Sequence, residues 1–268
     1  MIDFIEVNNN SANAKIALQG AHVFHYARKD EKALLWLSEI SDFQVGKAIR
    51  GGVPICWPSF GKNNPDLPQH GFARTILFEH SSTKELDANT TEVTFSLSHT
   101  PQTLKLWPHR FELELHVVVS DKLIIELKTT NLDDKAFLIS QALHTYFDIS
   151  HISHVNIKGL DKKPYLDDLW MDEKKQDGDV TYYREIERVY QEVGSKILLK
   201  DKNRTIKIQN EGSSSVVVWN PWIDKCKRMS AMKDDAYESM VCIESANAFD
   251  DARMIRPNES HTLKATIE

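Results

Sequence analysis

The sequence predicts an all-β protein, an antiparallel sandwich or barrel, and three observations support this fold class. Apolar and polar residues alternate along several segments, most clearly at residues 92–97 and at Phe111–Val119. A period of two places one face of a strand on a core and the other face in water. Clusters of Asn, Asp, Gly and Ser separate these segments and mark turns. Helical periodicity is scarce, so the pattern favours many short strands joined by turns.

Further strands are predicted by the same reasoning along the chain. Residues 216–219 are a continuous apolar run, which is typical of a strand buried on both faces. The period-two pattern recurs in three other places: Leu123, Ile125 and Leu127; Ile206 and Ile208; and Leu263, Ala265 and Ile267.

The remaining segments complete the predicted organisation. Residues 101–107 and 245–252 are each predicted to form a short helix. Residues 167–188 are highly charged, and we expect an ordered but exposed connection there. No low-complexity linker and no repeat divides the chain, so residues 1–268 are predicted to form a single domain.

Composition and charge disfavour several classes of function. Of the 268 residues, 41% are hydrophobic and 27% are charged, as in soluble globular proteins. The net charge of −6 disfavours nucleic-acid binding, and no apolar run approaches a membrane span. The N-terminal residues lack the pattern of a secretory signal. Because Cys56, Cys226 and Cys242 have no CxxC spacing, we expect reduced thiols in a cytoplasmic protein, with neither disulfides nor a zinc site.

The segment 49–74 combines arginine, glutamine and histidine with glycine and proline. Arg50 precedes a glycine pair, and Gln69, His70 and Arg74 surround a third glycine. Glycine permits a positive φ and a close approach of the backbone, while proline stiffens the chain. Arginine presents a rigid fork of donors that fits a carboxylate or a phosphate. The segment is therefore predicted to hold an anionic or hydroxyl-rich small molecule, with surface salt bridges as the alternative role of the arginines.

A histidine and a glutamate lie in two apolar segments that are far apart in sequence. His144 is in the middle of a strand predicted at residues 140–148, and Glu244 is at the end of a strand predicted at residues 240–247. Their usual pKa values, about 6.5 and about 4.3, suit a general acid and a general base. Partial burial would raise the pKa of the glutamate toward neutrality, where a base works best. Two alternatives stay open here: His144 as a core histidine, and Glu244 as the cap of a turn.

Other chemistries receive less support from the sequence. Trp57, Trp219 and Trp222 fit core packing as well as they fit stacking on a sugar. His144, His151 and His154 are near one another in sequence, but their spacing matches no zinc template. The sequence has no GxSxG elbow, no P-loop and no GxGxxG, so serine-hydrolase, NTPase and dinucleotide chemistry are not predicted.

Five short motifs together resemble a known family. They are residues 49–58 (IRGGVPICWP), 69–74 (QHGFAR), 143–147 (LHTYF), 219–221 (WNP) and 241–244 (VCIE). In this order they resemble the D-hexose-6-phosphate mutarotases, or glucose-6-phosphate 1-epimerases, a branch of the aldose 1-epimerase (galactose mutarotase-like) superfamily. Each motif alone is weak, and their order along nearly the whole chain carries the resemblance.

The resemblance implies a large antiparallel β-sandwich whose concave sheet holds a sugar, and catalysis without a metal or organic cofactor. It implies that His144 is the general acid and that Glu244 is the general base. Positions 50, 69 and 74 match residues that bind the sugar phosphate, which implies that role for Arg50, Gln69 and Arg74. His70 matches a second pocket histidine near the sugar ring.

The hydroxyl-binding acid is the position where this chain departs from the family. Relatives usually have aspartate where this chain has Glu187, and Asp168 is a substitute candidate. Trp219 is expected either to cover a sugar face or to pack in the core. Ser59 stands where relatives often have a larger residue, which predicts a more open pocket rim. The implied partner is a hexose 6-phosphate, and we expect a monomer. A mutarotase of neutral aldoses and a non-catalytic carbohydrate-binding module are the alternatives.

Overall fold

A computed structural model gives the fold, and it describes residues 2–62, 64–167, 169 and 171–268. The strands are β1 Phe4–Asn8, β2 Ala12–Ala17, β3 His22–Arg28, β4 Ile55–Cys56, β5 Glu79–Asp87, β6 Thr90–Ser98, β7 Phe111–Val119, β8 Leu123–Asn131, β9 Phe137–Ile139, β10 Gln141–Leu143, β11 Tyr146–Asp148, β12 Asn156–Lys158, β13 Pro164–Asp167, β14 Asp172–Lys175, β15 Ile186–Tyr190, β16 Lys196–Lys200, β17 Thr205–Glu211, β18 Ser215–Asn220, β19 Met240–Asn247, β20 Arg253–Ile255 and β21 Ser260–Ile267. The α-helices are α1 Pro101–Leu106 and α2 Trp222–Arg228.

Two eight-stranded antiparallel sheets dominate the fold. In the first sheet the strand order is β14-β13-β15-β18-β19-β10-β4, and β11 also pairs with β19. In the second sheet the order is β12-β16-β17-β21-β8-β7-β6-β5. Smaller sheets are formed by β1-β2-β3 and by β20 with β9.

The hydrophobic core lies between the two large sheets. It joins Leu115 and Ile125 of the second sheet to Val218 and Ile243 of the first. Strands β7 and β8 alternate buried and half-buried residues along their whole lengths, as the period-two pattern predicted. Strands β18 and β19 are buried at every position, so the centre of the first sheet is covered on both faces. The predicted antiparallel β-sandwich is confirmed.

The short helices were predicted with mixed success. Helix α1 confirms the helix expected at residues 101–107; the side chain of Thr100 accepts a hydrogen bond from the backbone of Thr103 and caps it. The prediction of a helix at residues 245–252 was wrong. The start of that segment continues β19, and only Phe249–Asp251 form a single 3₁₀ turn. An apolar run buried on both faces has no period that would separate strand from helix.

Two further predictions about strands need correction. His144 does not lie within a continuous strand, because it occupies a break between β10 and β11. Glu244 lies inside β19 and not at its end. Residues 167–188 are only partly the exposed connection we expected. They include the exposed strand β14, but Asp167 is fully buried and Arg188 is 6% exposed.

One edge of each large sheet is an exposed polar strand. Strand β5 in the second sheet and strand β14 in the first are exposed along nearly their whole lengths. Among the residues that the structure describes, no helix is long and apolar enough to cross a membrane.

Candidate active site

Strand register brings the two predicted catalytic residues together. Strand β10 pairs with β19 as far as Leu143 and Ser245, and β11 resumes the pairing with β19 in the same register. The register therefore places His144 opposite Glu244, although the ladder is interrupted at that position. The backbone N–H of His144 donates instead to the carbonyl of Pro54 at 3.0 Å, which holds the strand break in place.

The side chains of this pair are buried and close. His144 Nδ1 lies 3.3 Å from Glu244 Oε1, and the two residues are 8% and 1% exposed. The contact lacks hydrogen-bond geometry, and within the described part of the chain His144 Nδ1 and Glu244 Oε2 have no hydrogen-bond partner. Buried polar atoms are almost always paired, so two unpaired atoms in one pair of side chains indicate a place for a bound molecule.

Aromatic and apolar side chains surround the pair. The Tyr146 ring stacks on the His144 ring with centroids 4.8 Å apart, and Trp219 meets the same ring edge-on at 6.0 Å. Two small apolar clusters cover the same face of the first sheet, one containing Cys242 and the other Ala246. These residues lie two positions before and two positions after the glutamate in β19, so the carboxyl lies between two apolar walls.

Burial controls the protonation of the pair. Burial raises the pKa of the Glu244 carboxyl well above its usual value, and Glu187 raises it further, whereas Arg74 lowers it. Burial lowers the pKa of His144 well below its usual value, and the charges of Arg50 and Arg74 act in the same direction. Both shifts favour the uncharged imidazole and carboxyl over an imidazolium–carboxylate ion pair.

The backbone of segment 49–74 approaches neighbouring backbone and uses glycine to do so. Gly51 has φ +114°, and a Cβ there would lie 2.5 Å from the Trp36 carbonyl oxygen. Gly71 has φ +69°, and its Cβ would lie 2.0 Å from the Trp57 carbonyl oxygen. His22 Nε2 donates to the Gly51 carbonyl at 2.7 Å. These glycines thus shape the loops that carry the arginines.

The two arginines of this segment lie near the pair and lack an acidic partner. Arg50 donates from Nη1 to the Tyr146 hydroxyl at 3.3 Å, and Arg74 donates from Nη2 to the Gln69 carbonyl at 2.8 Å. Among the described residues, no carboxylate lies within salt-bridge distance of either arginine. The structure therefore does not support the surface salt-bridge alternative, and both guanidinium groups can accept an anion.

His70 is a neutral pocket histidine. Its backbone has φ +64°, and its Nδ1 accepts a hydrogen bond from the backbone N–H of Gly61 at 3.3 Å. Burial, reinforced by Arg74, lowers its pKa to about 3, so Nε2 carries the remaining proton as a donor. Its ring centroid is 5.7 Å from that of His144. Gln69 is exposed beside it, and its side-chain amide group lies next to His70 Nε2.

The predicted hydroxyl-binding residues lie on β15 and β18. Glu187 and Trp219 face each other across these strands. Lys225 of α2 holds Glu187 at 2.6 Å and Glu185 at 2.9 Å, and its ammonium lies 5.8 Å from the centre of the Trp219 ring. One oxygen of Glu187 is thus bound to lysine, and the other remains for a ligand. Asp168, the substitute candidate, lies outside the described residues.

The other tryptophans and the rim residue are now placed. Trp57 is fully buried and donates to Thr129 Oγ1 at 3.1 Å, so it belongs to the core and does not stack on a sugar. Trp222 is half-buried at the start of α2. Ser59 is buried and lines a neighbouring cavity of about 460 Å³ that does not include the catalytic pair.

Sequence reasoning missed three residues of the site. Tyr146 and Cys242 lie two positions from His144 and Glu244, so the period-two rule could have placed them on the same face. Lys225 had no such signal, because only the packing of α2 against β18 brings it over Trp219.

The fold and the site together define a class of protein. An antiparallel β-sandwich that presents a buried histidine and glutamate side by side on one sheet is equipped for proton transfer to a small molecule. The chain belongs to the aldose 1-epimerase family, since the family model described as Aldose 1-epimerase matches residues 3–268.

Individual relatives agree with this membership. A protein of Escherichia coli (strain K12), provisionally named glucose-6-phosphate 1-epimerase, is 35% identical over 98% of this chain and 90% of its own length. A relative from Cenchrus ciliaris with the same provisional name is 36% identical over 92% of this chain and 78% of its own. The crystal structure of YeaD from Salmonella typhimurium, provisionally a mutarotase, has a TM-score of 0.93 at 34% identity, covering 99% of this chain and 90% of its own.

Proposed function

We propose that this protein interconverts the α and β anomers of a hexose 6-phosphate, with glucose 6-phosphate as the expected substrate. The His144–Glu244 pair, buried beside Arg50 and Arg74, carries the proposal, because it combines acid–base groups with cations free to hold a phosphate. The provisional names of the relatives from Escherichia coli and Cenchrus ciliaris support the same substrate.

The proposed mechanism follows from what anomerisation requires. Glu244 takes the proton of the C1 hydroxyl, and His144 gives a proton to the ring oxygen. The C1–ring oxygen bond breaks and leaves a free aldehyde. Rotation about C1–C2 exposes the other face, and closure reverses both proton transfers. Each positioned proton transfer is worth about 10²–10⁴-fold in rate.

The phosphate has a second part in this mechanism. The mechanism needs an ionised Glu244 and a protonated His144, whereas burial favours the uncharged form of each. The charges of Arg50 and Arg74 further disfavour the protonated His144, although Arg74 also favours the ionised Glu244. A phosphate dianion between the arginines offsets those charges and favours the imidazolium. The substrate thereby helps to prepare its own general acid.

Optical rotation tests the proposal directly. Starting from pure α-glucose 6-phosphate, the purified protein should accelerate the approach to anomeric equilibrium. A rate equal to that of buffer alone contradicts the proposal. If the sugar phosphate binds with no catalysed anomerisation, the protein is a carbohydrate-binding module.

A second candidate substrate class is the neutral aldoses. The family model that matches the chain is described as Aldose 1-epimerase, which favours this alternative. Comparing glucose with glucose 6-phosphate separates the two, because only the phosphorylated sugar can use Arg50 and Arg74. Equal kcat/KM for both sugars would support the neutral-aldose function.

A further inference from the structure

Although the spacing of residues in the sequence predicts no zinc site, we propose that His144, Cys242 and Glu244 form one in the folded chain, and that Zn²⁺ bound there blocks the catalytic pair. Each residue offers one donor atom, and the three atoms lie within 4.8 Å of one another. All three residues are buried, and the unpaired His144 Nδ1 and Glu244 Oε2 atoms have no competing protein partner among the described residues. The binding does not depend on the proposed function; the inhibition does.

The three donor types fit zinc, and the histidine–glutamate pair already has the spacing of zinc ligands. Zinc bonds to imidazole nitrogen, carboxylate oxygen and thiolate sulfur are about 2.0–2.3 Å long, so donors on a tetrahedron lie ~3.3–3.7 Å apart. His144 Nδ1 and Glu244 Oε1 are already 3.3 Å apart. A thiolate favours zinc over hard cations such as Mg²⁺ and Ca²⁺. Three protein ligands leave the fourth position to water, as in open zinc sites.

Zinc at this position inhibits by a simple route. It occupies the lone pairs of His144 and Glu244 that the sugar needs for proton transfer. Binding needs the thiolate of Cys242, the carboxylate of Glu244 and a neutral His144, so the protons on these ligand atoms go to solvent and two ligands are anionic. Those anions offset the repulsion between the metal and the nearby arginines, of which Arg50 acts on Cys242 and Arg74 acts on Glu244.

Cobalt spectroscopy tests the site without reference to activity. Co²⁺ added to the purified, metal-free full-length protein should give a thiolate-to-cobalt charge-transfer band and the d–d bands of a tetrahedral site. Zn²⁺ should abolish both sets of bands at one equivalent, whereas excess Mg²⁺ should not. Cys242→Ser should lose the charge-transfer band, and Cys226→Ser should keep it, because Cys226 lies in α2 and is not part of the cluster. Cys242→Ala replaces the serine variant if the latter does not fold.

Inhibition is measured on the same proteins. Zn²⁺ should inhibit anomerisation, and a chelator should restore the rate. With each rate expressed relative to the same protein without metal, half inhibition of Cys242→Ser should require at least ~10-fold more zinc than half inhibition of the wild type. A charge-transfer band that is absent, or that persists in Cys242→Ser and Cys242→Ala, overturns the zinc site. An intact band in a protein without anomerase activity overturns only the proposed function.

Discussion

The segment 49–74 and the strand pair β10–β11 with β19 hold functional side chains in two different ways. In the segment, turns with positive φ and single hydrogen bonds place Arg50, His70 and Arg74. In the strand pair, the register of a buried ladder places His144 against Glu244. Under the proposed function, the strands determine whether a reaction occurs, while the segment determines which molecule reacts.

The largest predicted effect comes from replacing the side chains that the strands place. Glu244→Gln and His144→Ala should each lower kcat for glucose 6-phosphate by about 10²–10⁴-fold, because each removes one positioned proton transfer. Binding of the sugar phosphate, measured by calorimetry, should change much less. Far-UV circular dichroism should show that both variants keep the sheet structure. A variant that retains near-wild-type kcat would refute the role assigned to that residue.

The next largest effect comes from replacing an arginine of the segment 49–74. Arg74→Ala should lower kcat/KM for glucose 6-phosphate by about 10–100-fold, since it removes a charge-assisted hydrogen bond worth about 1.5–3 kcal/mol. The kcat/KM for glucose should change much less, because glucose has no phosphate and Arg74 acts on the catalytic pair only through its charge. Arg256→Ala is the matched control, since Arg256 is an exposed arginine on the loop that follows β20. Equal losses for both sugars would place Arg74 in the chemistry instead.

A smaller effect tests whether an anion bound at the segment 49–74 influences His144 in the strand pair. If a bound anion helps to prepare His144, phosphite added to the assay should accelerate the anomerisation of glucose severalfold. The activation should disappear in Arg74→Ala. No activation of the wild-type protein at saturating phosphite would mean that the phosphate only anchors the sugar.

The smallest effect concerns His22, which donates a hydrogen bond to the Gly51 carbonyl of the segment and is affected by low pH. Burial lowers the pKa of His22 to about 4 from 6.5, so the folded state binds this proton less tightly than the unfolded state does. The resulting stability is present above pH 6.5 and is lost as pH falls toward 4, by about 1 kcal/mol at pH 6. His22→Gln keeps a donor for the Gly51 carbonyl but cannot titrate. Its unfolding free energy, measured in urea from pH 7 to 5, should fall less steeply than that of the wild type.

The same contrast explains which features could be predicted from sequence. Strands such as β7 were predictable because alternation is local to nine residues. The partnership of His144 with Glu244 needed the register between distant strands, which the resemblance supplied and local patterns could not. The break at His144 depends on a hydrogen bond to Pro54, and the position of Lys225 depends on how α2 packs. Both are tertiary effects with no period in the sequence.

The exposed strands at the sheet edges have a consequence for assembly. Strands β5 and β14 leave backbone groups unpaired at the outer side of each large sheet, which is where a second chain could add a strand. Lys84 and Glu85 in β5, and the wholly charged Asp172–Lys175 in β14, make such addition unfavourable. Self-association at high concentration is therefore expected to use other parts of the surface, and not these two edges.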